Sequence, residues 1–357
     1  MNFKNRTLGE IIQFKNGKKR PQEDGQYPVY GGNGILGYSK ESNYCNCIAI
    51  GRVGAYCGSV YYEPESCWIS DNAIVALPKE GVDIRYTYYL LKSAHLNRRH
   101  IGTGQPLLTQ DILNRIECAV PSLQDQKRIS SVLWLLDEKI TENQRINNNL
   151  EQQAKAIYRQ MFAASSSSEW TQGTLSDIAE ITMGQSPSGS SYNEDGVGTV
   201  FYQGRAEFGC RFPTQRLCTT EPKRMAREND VLLSVRAPVG DLNVAREYCC
   251  IGRGLASIRS KHNRQSFVLY TVFALQPEMD KFNGEGTVFG SINRDSLNKM
   301  AIIIPTDDEM DRFESLVSPM DAQIRANHEE ILRLEAIRAA LLPKLMTGEL
   351  DVSNIEY

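Results

Sequence analysis

The stretch ISSVLWLLDEKITENQRINNNLEQQAKAIYRQM, residues 129–161, decides the fold of this chain. Its apolar residues recur at alternating steps of four and three, the heptad period of helices packed as a coiled coil. As one continuous helix the stretch would span roughly 50 Å, at 1.5 Å per residue. The repeating positions are Ile129, Leu133, Leu136, Ile140, Asn143, Asn147, Leu150, Ala154, Ile157 and Met161.

The same pattern returns 184 positions later in the chain. Asn143 and Asn327 occupy the same step, and a polar residue in a helix seam can fix the register at a cost in stability. We expect two long helices packed as a coiled coil; the alternative is two amphipathic helices that pack on separate domains. The second set of positions is Phe313, Val317, Met320, Ile324, Asn327, Ile331, Leu334, Arg338, Leu341 and Leu345.

Each heptad stretch follows a helix-start signal. Pro121-Ser-Leu-Gln-Asp125 is matched by Pro305-Thr-Asp-Asp-Glu309, and both place a hydroxyl three residues before a carboxylate. This spacing approximates a capping box, in which the two side chains bond each other's backbone amides. We therefore predict that the helices start just after the two prolines.

The segments before the helices also repeat, more loosely. Thr7-Leu-Gly-Glu10 returns as Thr174-Leu-Ser-Asp177, and Gly102-Thr-Gly104 resembles Gly284-Glu-Gly286. Both segments are short β-rich runs separated by glycines, which predicts two α/β or mainly β globular modules. The residues 163–168 read AASSSS, a flexible linker by composition.

Composition places the chain among ordinary globular proteins, with 41% hydrophobic and 23% charged residues in 357. No apolar run approaches the roughly 20 residues of a membrane span. We expect no signal peptide, and the nine cysteines then indicate free thiols in a reducing cytoplasm. The net charge of −3 arises in residues 306–357, which carry −7, while residues 1–121 carry +3 and residues 174–305 carry +1. Net charge therefore neither supports nor excludes DNA binding.

No catalytic or metal constellation emerges. The run 32–37 satisfies GxGxxG but no clear helix follows it, so a glycine-rich turn is favoured over a dinucleotide site. A P-loop and the Asn/Asp-Pro-Pro-aromatic signature of adenine methyltransferases are both missing. Cys45, Cys47, Cys57 and Cys67 lack paired CxxC spacing, which favours core or half-buried thiols over zinc. We expect a non-catalytic chain with no metal.

Several runs resemble the specificity (S) subunit of type I restriction–modification systems. They are Gly102-Thr-Gly-Gln-Pro-Leu-Leu-Thr-Gln-Asp-Ile-Leu113, Val120-Pro-Ser-Leu-Gln-Asp-Gln-Lys-Arg-Ile129, Leu136-Asp-Glu-Lys-Ile140 and Leu341-Leu-Pro-Lys-Leu-Met-Thr-Gly-Glu-Leu350. The second half departs from the pattern at 284–290, GEGTVFG, in place of a GTGQP-like run.

The resemblance implies an α/β (α+β) fold: two α/β target-recognition globules separated by two long antiparallel coiled-coil helices, with an internal pseudo-two-fold repeat. The expected boundaries are 1–121 for the first recognition domain, 122–162 for the first conserved helix, 163–173 for the linker, 174–305 for the second recognition domain, 306–350 for the second conserved helix and 351–357 for the tail.

The resemblance also implies a function. Each recognition domain would read one half of a bipartite, asymmetric double-stranded DNA site, while the helices set the spacing and dock two modification subunits. A restriction (motor–nuclease) subunit would join them in the cytoplasm, for DNA methylation and phage defence. Adenine-specific methylation and ATP-dependent cleavage would belong to these partners, which would bind S-adenosylmethionine, ATP and Mg; this chain would bind no cofactor.

Residue chemistry alone supplies the candidate DNA contacts. Arg and Lys serve phosphates, Arg can also read guanine, and Asn and Gln can read adenine. Arg98 and Arg99 could equally cap a helix end near Tyr88–Leu96. The candidates are Lys18, Lys19, Arg20, Asn33, Arg52, Arg98, Arg99, Gln105, Arg205, Arg211, Arg236, Arg253 and Asn293.

Two other function classes compete with sequence-specific DNA recognition. A structural adaptor would use the same repeated globules to bind proteins without reading DNA. A self-sufficient methyltransferase is disfavoured because its signature is missing. Retention of specific DNA by the assembled complex would separate the first two.

Overall fold

The computed structural model describes residues 1–102, 104–163, 166–283 and 290–354. The chain divides into two compact units: Met1–Gln144 with Glu329–Tyr357, and Arg145–His328. Each unit holds one globular part together with a segment of each long helix, α4 (Leu123–Tyr158) and α9 (Asp307–Thr347). The predicted fold class, two α/β globules with two long helices, is confirmed.

Hydrogen bonds at the helix starts explain where α4 and α9 begin. The Asp125 amide donates to Ser122 Oγ at 3.2 Å. The Thr306 amide donates to Glu309 Oε2 at 3.1 Å, and the Glu309 amide donates back to Thr306 Oγ1 at 3.4 Å. These bonds satisfy amides that lack a partner within the first helical turn, and the predicted helix starts are confirmed.

The first unit contains an antiparallel pair of helix segments. Arg338 forms an ion pair with Asp137, and Asn143 Nδ2 donates to Glu330 Oε2 at 2.8 Å. These contacts pair a higher residue number in α4 with a lower one in α9, so the two helix segments are antiparallel. Ile129 is fully buried in the core of the globule, which shows that the heptad stripe also packs on the sheet side.

The second unit repeats this arrangement with different polar contacts. Asn327 Nδ2 donates to Asn147 Oδ1 at 2.8 Å, and Asn147 Nδ2 donates to the Ile324 carbonyl at 3.3 Å. Phe313 and Val317, at the start of α9, are fully buried in the globular core. Every residue of both heptad stripes is buried or half-buried, so the predicted seam positions, including Leu136, Leu150, Ile157, Met320, Leu334 and Leu341, face protein.

The first globule is built on a six-stranded sheet in the order β2-β7-β5-β6-β3-β4, antiparallel except for the β3–β6 pair. Helix α2 packs on it, and a separate β1–β8 ladder joins the two ends of the globule. Its elements are β1 (Lys4–Thr7), α1 (Leu8–Ile11), β2 (Ile12–Asn16), β3 (Tyr27–Gly31), β4 (Gly34–Ser39), β5 (Tyr44–Gly51), β6 (Val60–Ile69), β7 (Ala73–Pro78), α2 (Ile84–Ser93), α3 (Gln110–Asn114) and β8 (Glu117–Val120), with 3₁₀ turns at Gly54–Tyr56 and Leu96–Arg98.

The second globule splits the corresponding strands into two sheets, β10-β18-β15-β16 and β11-β13-β12-β17-β14, with a β9–β19 ladder. Among the described strands of the second globule, only β12 and β17 pair in parallel. Its elements are β9 (Thr171–Thr174), α5 (Leu175–Ile178), β10 (Ala179–Met183), β11 (Tyr192–Asn193), β12 (Thr199–Tyr202), β13 (Leu217–Thr219), β14 (Met225–Ala226), β15 (Val231–Ser234), β16 (Leu242–Val244), β17 (Cys249–Ile251), β18 (Leu255–Ser260), α6 (Gln265–Ala274), α7 (Gln276–Asp280), α8 (Arg294–Asn298) and β19 (Ala301–Ile304), with 3₁₀ turns at Gly189–Ser191 and Arg205–Glu207.

The predicted end of the first helix and the predicted linker differ in detail from the observed elements. Helix α4 is followed by a π-helical turn, Arg159–Ala163, and residues 164 and 165 of the predicted linker lie outside the described residues. Residues 171–173, assigned to the linker, instead form strand β9 because they pair with Ile302–Ile304 of β19.

The glycine-rich run 32–37 is the β3–β4 hairpin, so the turn interpretation is confirmed.

Candidate nucleic-acid interface

Three loops of the first globule meet at one end of its sheet. The Gly54 amide, in the turn after β5, donates to the Pro106 carbonyl at 3.0 Å. Ser59 Oγ donates to the carbonyl of Gly32 in the β3–β4 turn at 2.6 Å, and the Arg52 amide donates to the Asn72 carbonyl at 3.0 Å. The loops carrying three predicted contacts therefore form one surface. These contacts are Asn33, Arg52 and Gln105.

The basic run Lys18, Lys19 and Arg20 borders this surface. The Lys18 amide donates to the Ile69 carbonyl at 3.0 Å, which fixes the run beside the β6–β7 turn. Lys18 and Lys19 are exposed. Arg20 has a structural task as well, because its Nη1 donates to the Leu36 carbonyl of edge strand β4 at 3.2 Å.

Arg52 is the most constrained cation of the surface. Its side chain is half-buried, and its Nε is buried without a hydrogen-bond partner among the described residues. Its carbonyl accepts from the Leu108 amide at 2.9 Å and from the Cys57 thiol at 3.2 Å. The backbone is thus held on both sides while the side chain retains hydrogen-bonding capacity that a ligand could use.

Arg98 and Arg99 divide between the two predicted roles. Arg99 Nε donates to the Ala94 carbonyl at 3.1 Å and so caps the end of α2, which is the alternative role. Arg98 is exposed in the Leu96–Arg98 turn. This turn lies beside Gly58, where an added Cβ would come within 2.4 Å of the Asn97 nitrogen.

Three loops of the second globule converge in the same way. The Gly252 amide donates to the Tyr202 carbonyl at 2.8 Å, and the Val235 amide donates to the Gly254 carbonyl at 2.9 Å. Arg205, Arg236 and Arg253 are exposed on these loops. Arg205 is oriented by an ion pair, with its Nε 2.5 Å from Oδ2 of Asp241.

Arg211 requires a correction, because it is a structural residue. Its side chain is only 9% exposed, pairs with Asp321 of α9, and lies 3.3 Å from Glu151 Oε2 of α4. Its guanidinium also lies 5.7 Å from the centre of the Tyr270 ring. We therefore withdraw Arg211 from the candidate DNA contacts.

Asn293 is also engaged by the fold. Its side-chain oxygen accepts from the Ser296 amide at 2.9 Å, which makes Asn293 the N-cap of α8. The preceding 284–286 run, predicted to correspond to Gly102–Gly104, lies outside the described residues, as does Thr103.

Sequence reasoning missed three exposed amides on the same loops: Asn72, Gln185 and Gln203. Gln185 follows Gly184, and Gln203 precedes Gly204. A glycine beside a polar residue at a strand end is a signal that could have found these two. Asn72 has no such signal, and only its backbone bond to Arg52 places it on the surface.

Thiol burial matches the sequence interpretation at most positions. Cys47, Cys57 and Cys67 are buried, and the Sγ atoms of Cys47 and Cys67 lie 3.5 Å apart. Cys45 differs, because it is exposed. Within the described ranges, no three His, Cys, Asp or Glu side chains are grouped so that they could hold a metal ion.

Comparison with known proteins decides the family. A model described as the type I restriction modification DNA specificity domain matches residues 1–152 and again residues 167–336. The chain belongs to the type I restriction–modification specificity-subunit family. As a specificity subunit it has two target-recognition domains, one in each matched stretch.

Relatives of this specificity subunit extend over most of its length. The putative type I restriction enzyme MjaX specificity subunit of Methanocaldococcus jannaschii is 30% identical over 332 residues, covering 85% of this chain and 76% of that protein. The MjaIX specificity subunit of the same organism is 24% identical over 314 residues, covering 78% and 72%. The crystal structure of the type I S subunit from M. genitalium shares the fold, with a TM-score of 0.68 at 16% identity over 99% and 97% of the two chains.

Specificity subunits are generally non-catalytic, and the loop surfaces described above present binding groups rather than paired acid, base and nucleophile. In the described part of this specificity subunit, we find no helix that combines the length and apolar character needed to cross a membrane.

Proposed function

We propose that this specificity subunit binds double-stranded DNA and that each recognition domain reads one half of a bipartite, asymmetric site. The observation that carries the proposal is the convergence, in each globule, of three backbone-bonded loops that expose Arg, Lys, Asn and Gln side chains at one sheet end. These side-chain types contact phosphates and base edges. The two surfaces carry different residues, which accords with two different half-sites.

The residues that we assign to DNA contact follow from exposure and loop position. Arg211 is left out, and Arg99 and Asn293 are ranked below the rest because the fold already uses them as caps. The first domain would use Lys18, Lys19, Arg20, Asn33, Arg52, Arg98 and Gln105, and the second would use Arg205, Arg236 and Arg253.

The long helices would set the distance between half-sites and dock the modification subunits. Exposed apolar side chains on α4 and α9 support a protein-binding role, because exposed apolar surface that a partner covers is typical of an interaction site. The net −7 of residues 306–357 disfavours contact with phosphate. The exposed large apolar residues of the two helices are Leu123, Leu135, Leu316, Leu332 and Ile337.

The complex would be completed by other chains in the cytoplasm. Two modification subunits would carry adenine methylation with S-adenosylmethionine, and a restriction subunit would carry ATP- and Mg-dependent cleavage, while this chain would hold no cofactor. We assign residues 1–121 and 174–305 to the recognition domains, 122–162 and 306–350 to the conserved helices, 163–173 to the linker, whose last residues 171–173 also form part of β9, and 351–357 to the tail.

The test is DNA binding by the complex of this subunit with its modification subunit, measured by fluorescence anisotropy at one fixed salt concentration. The duplex carries the motif found by methylation mapping. Arg52→Ala should weaken binding by roughly ten- to hundredfold if the guanidinium contacts a base. Lys79→Ala removes the same charge just after β7, at the opposite end of that strand from Asn72 and the loop surface, and should leave affinity unchanged.

Two outcomes count against the proposal. Equal affinity of wild type for the mapped duplex and for a scrambled duplex would favour the structural adaptor. Unchanged affinity of the Arg52→Ala complex would remove Arg52 from the interface.

A further inference from the structure

We infer that the two recognition domains read DNA from the same backbone positions, and that Arg236 and Arg253 specify guanines in the half-site of the second domain. The inference rests on the proposed DNA function and goes further, since it assigns the reading positions and one base identity. It starts from backbone hydrogen bonds inside each domain, which do not depend on side-chain type.

Six backbone bonds of the first domain have a counterpart in the second, and within each loop segment the steps between successive bonded positions are the same in both domains. Each bond is written with the residue of the donating amide first and the residue of the accepting carbonyl second, and each bond of the first domain is followed by its counterpart in the second. They are Gly17–Ala73 and Gly184–Leu255, Lys18–Ile69 and Gln185–Ile251, Ser70–Tyr30 and Gly252–Tyr202, Arg52–Asn72 and Val235–Gly254, Leu108–Arg52 and Ile292–Val235, and Gly54–Pro106 and Ala237–Gly290.

These bonds make the loop frames superimposable residue by residue. One residue stands between the bonded positions 70 and 72, and one stands between 252 and 254. The same holds between 52 and 54 and between 235 and 237. The isolated β-bridges Val53–Leu107 and Arg236–Ser291 confirm the second register independently.

The matched bonds place three pairs of equivalent positions whose side chains differ between the domains, and a fourth pair is assigned by its offset from one matched bond. Where matched bonds flank a position in both domains, the local backbone path is shared, so a difference in the bases contacted there would come from the side chains. Position 33 lies three residues after Tyr30, as position 205 lies three residues after Tyr202. The pairs are Lys18 and Gln185, Asn33 and Arg205, Val53 and Arg236, and Asp71 and Arg253.

Arginine dominates the second set, and its chemistry points to guanine. A guanidinium donates two parallel bonds to guanine N7 and O6 in the major groove, whereas a carboxylate accepts from cytosine N4. Arg236 and Arg253 are exposed and have no ion-pair partner among the described residues. At the position equivalent to Arg253, the first domain has Asp71, which would disfavour phosphate contact at that place.

Glycines keep the frame close-packed around these positions. An added Cβ at Gly17 would lie 1.9 Å from the Ser70 carbonyl oxygen, and one at Gly184 would lie 2.2 Å from the Gly252 carbonyl oxygen. Asp71 and Arg253 therefore each follow a residue, Ser70 or Gly252, whose carbonyl packs closely against a glycine of the neighbouring segment.

The experiment uses the complex with the modification subunit and a library of duplexes in which each base pair of the mapped motif is varied singly. Arg253→Ala should lose roughly ten- to hundredfold of discrimination at one guanine of the second half-site and none in the first. Arg253→Lys should keep affinity but lose much of the discrimination, because an ammonium cannot make the bidentate contact. Lys299→Ala, an exposed charge after α8, is the control.

Other results overturn the inference. Uniform weakening on all duplexes, with the salt slope reduced by about one, would make Arg253 a phosphate contact. A mapped motif without guanine in the second half-site would also contradict it. If wild type itself shows no sequence preference, the proposed DNA function fails, which is a different outcome from a motif that ignores Arg253.

Discussion

Replacing Arg211 by alanine separates the structural arginine of the second unit from those that we assign to DNA. Arg211 pairs with Asp321 and Glu151, whose side chains are 19% and 22% exposed. Asp321 also accepts from the Tyr270 hydroxyl at 3.0 Å. The substitution removes the cation that bridges the two carboxylates, leaves Glu151 with Lys155 as its ion-pair partner and empties the space beside the Tyr270 ring.

The expected cost follows from burial. Removing one partner of a buried ion pair typically destabilises by about 3–5 kcal/mol, because a desolvated charge is left without compensation. Two carboxylates face the gap here, but both keep partial contact with water. We therefore expect about 3 kcal/mol, whereas Arg253→Ala on the exposed loop should change the free energy of unfolding by less than about 0.5 kcal/mol.

Hydrogen–deuterium exchange with mass spectrometry gives the opening free energy for peptides of each unit separately. Peptides from the second unit should lose protection in Arg211→Ala, and peptides from the first unit provide an internal control. The volume-matched Arg211→Met shows how much of the loss comes from packing. Protection equal to wild type, or reduced DNA affinity with full stability, would refute the structural role assigned to Arg211.

Four further predictions concern the helices, a buried acid, a glycine and the thiols. Removing seven residues from each long helix should shorten the tolerated spacer by about three base pairs, at 1.5 Å per residue and 3.4 Å per base pair, in a methylation assay with varied spacers; an unchanged spacer would show that the helices do not set it. Burial raises the pKa of Glu314, so this side chain contributes its full stabilisation below pH 4.5 and loses it as the pH rises through the raised pKa. Glu314→Gln should therefore gain stability relative to wild type across that pH range in urea titrations. A difference in unfolding free energy between variant and wild type that does not change with pH would contradict this. Gly17→Ala should cost about 1–3 kcal/mol and weaken DNA binding, while Gly104→Ala, where an added Cβ meets no described atom within 4 Å, should be neutral in thermal unfolding. At pH 8, iodoacetamide should label the exposed Cys45 and Cys210 first, because burial raises the pKa of the Cys249 thiol to about 12; comparable labelling of Cys249 in peptide mapping would argue against its burial.

The helices were predictable because a heptad stripe repeats one physical requirement many times over. Each step from Ile129 onward needs a side chain that tolerates burial, and the capping residues Ser122 and Thr306 mark the starts. Strand pairing was harder to predict from the sequence than the helices were. Residues 171–173 look like linker by composition, yet they form β9 because β19 offers a partner across more than a hundred residues of sequence.

The candidate site was predictable only as a set of residue types. Arg52 sits beside a glycine, which pointed to an exposed turn, whereas Arg253 was predicted from residue type alone, as Arg211 was. Arg211 also follows a Gly-Cys pair, but the carboxylates that bury it come from α4 and α9, distant in sequence. Asn72 joins the surface through a backbone bond to Arg52, which no local pattern records.

Methylation mapping of genomic DNA tests whether the two recognition domains of this subunit determine the DNA sequence that is methylated. Cells would express this subunit with its modification subunit, and every methylated adenine would be located by sequencing. We predict one bipartite motif with a fixed gap, and a change confined to one half-site when the loops of one recognition domain are altered. An active modification subunit whose methylated positions do not depend on this chain would contradict DNA recognition by this subunit.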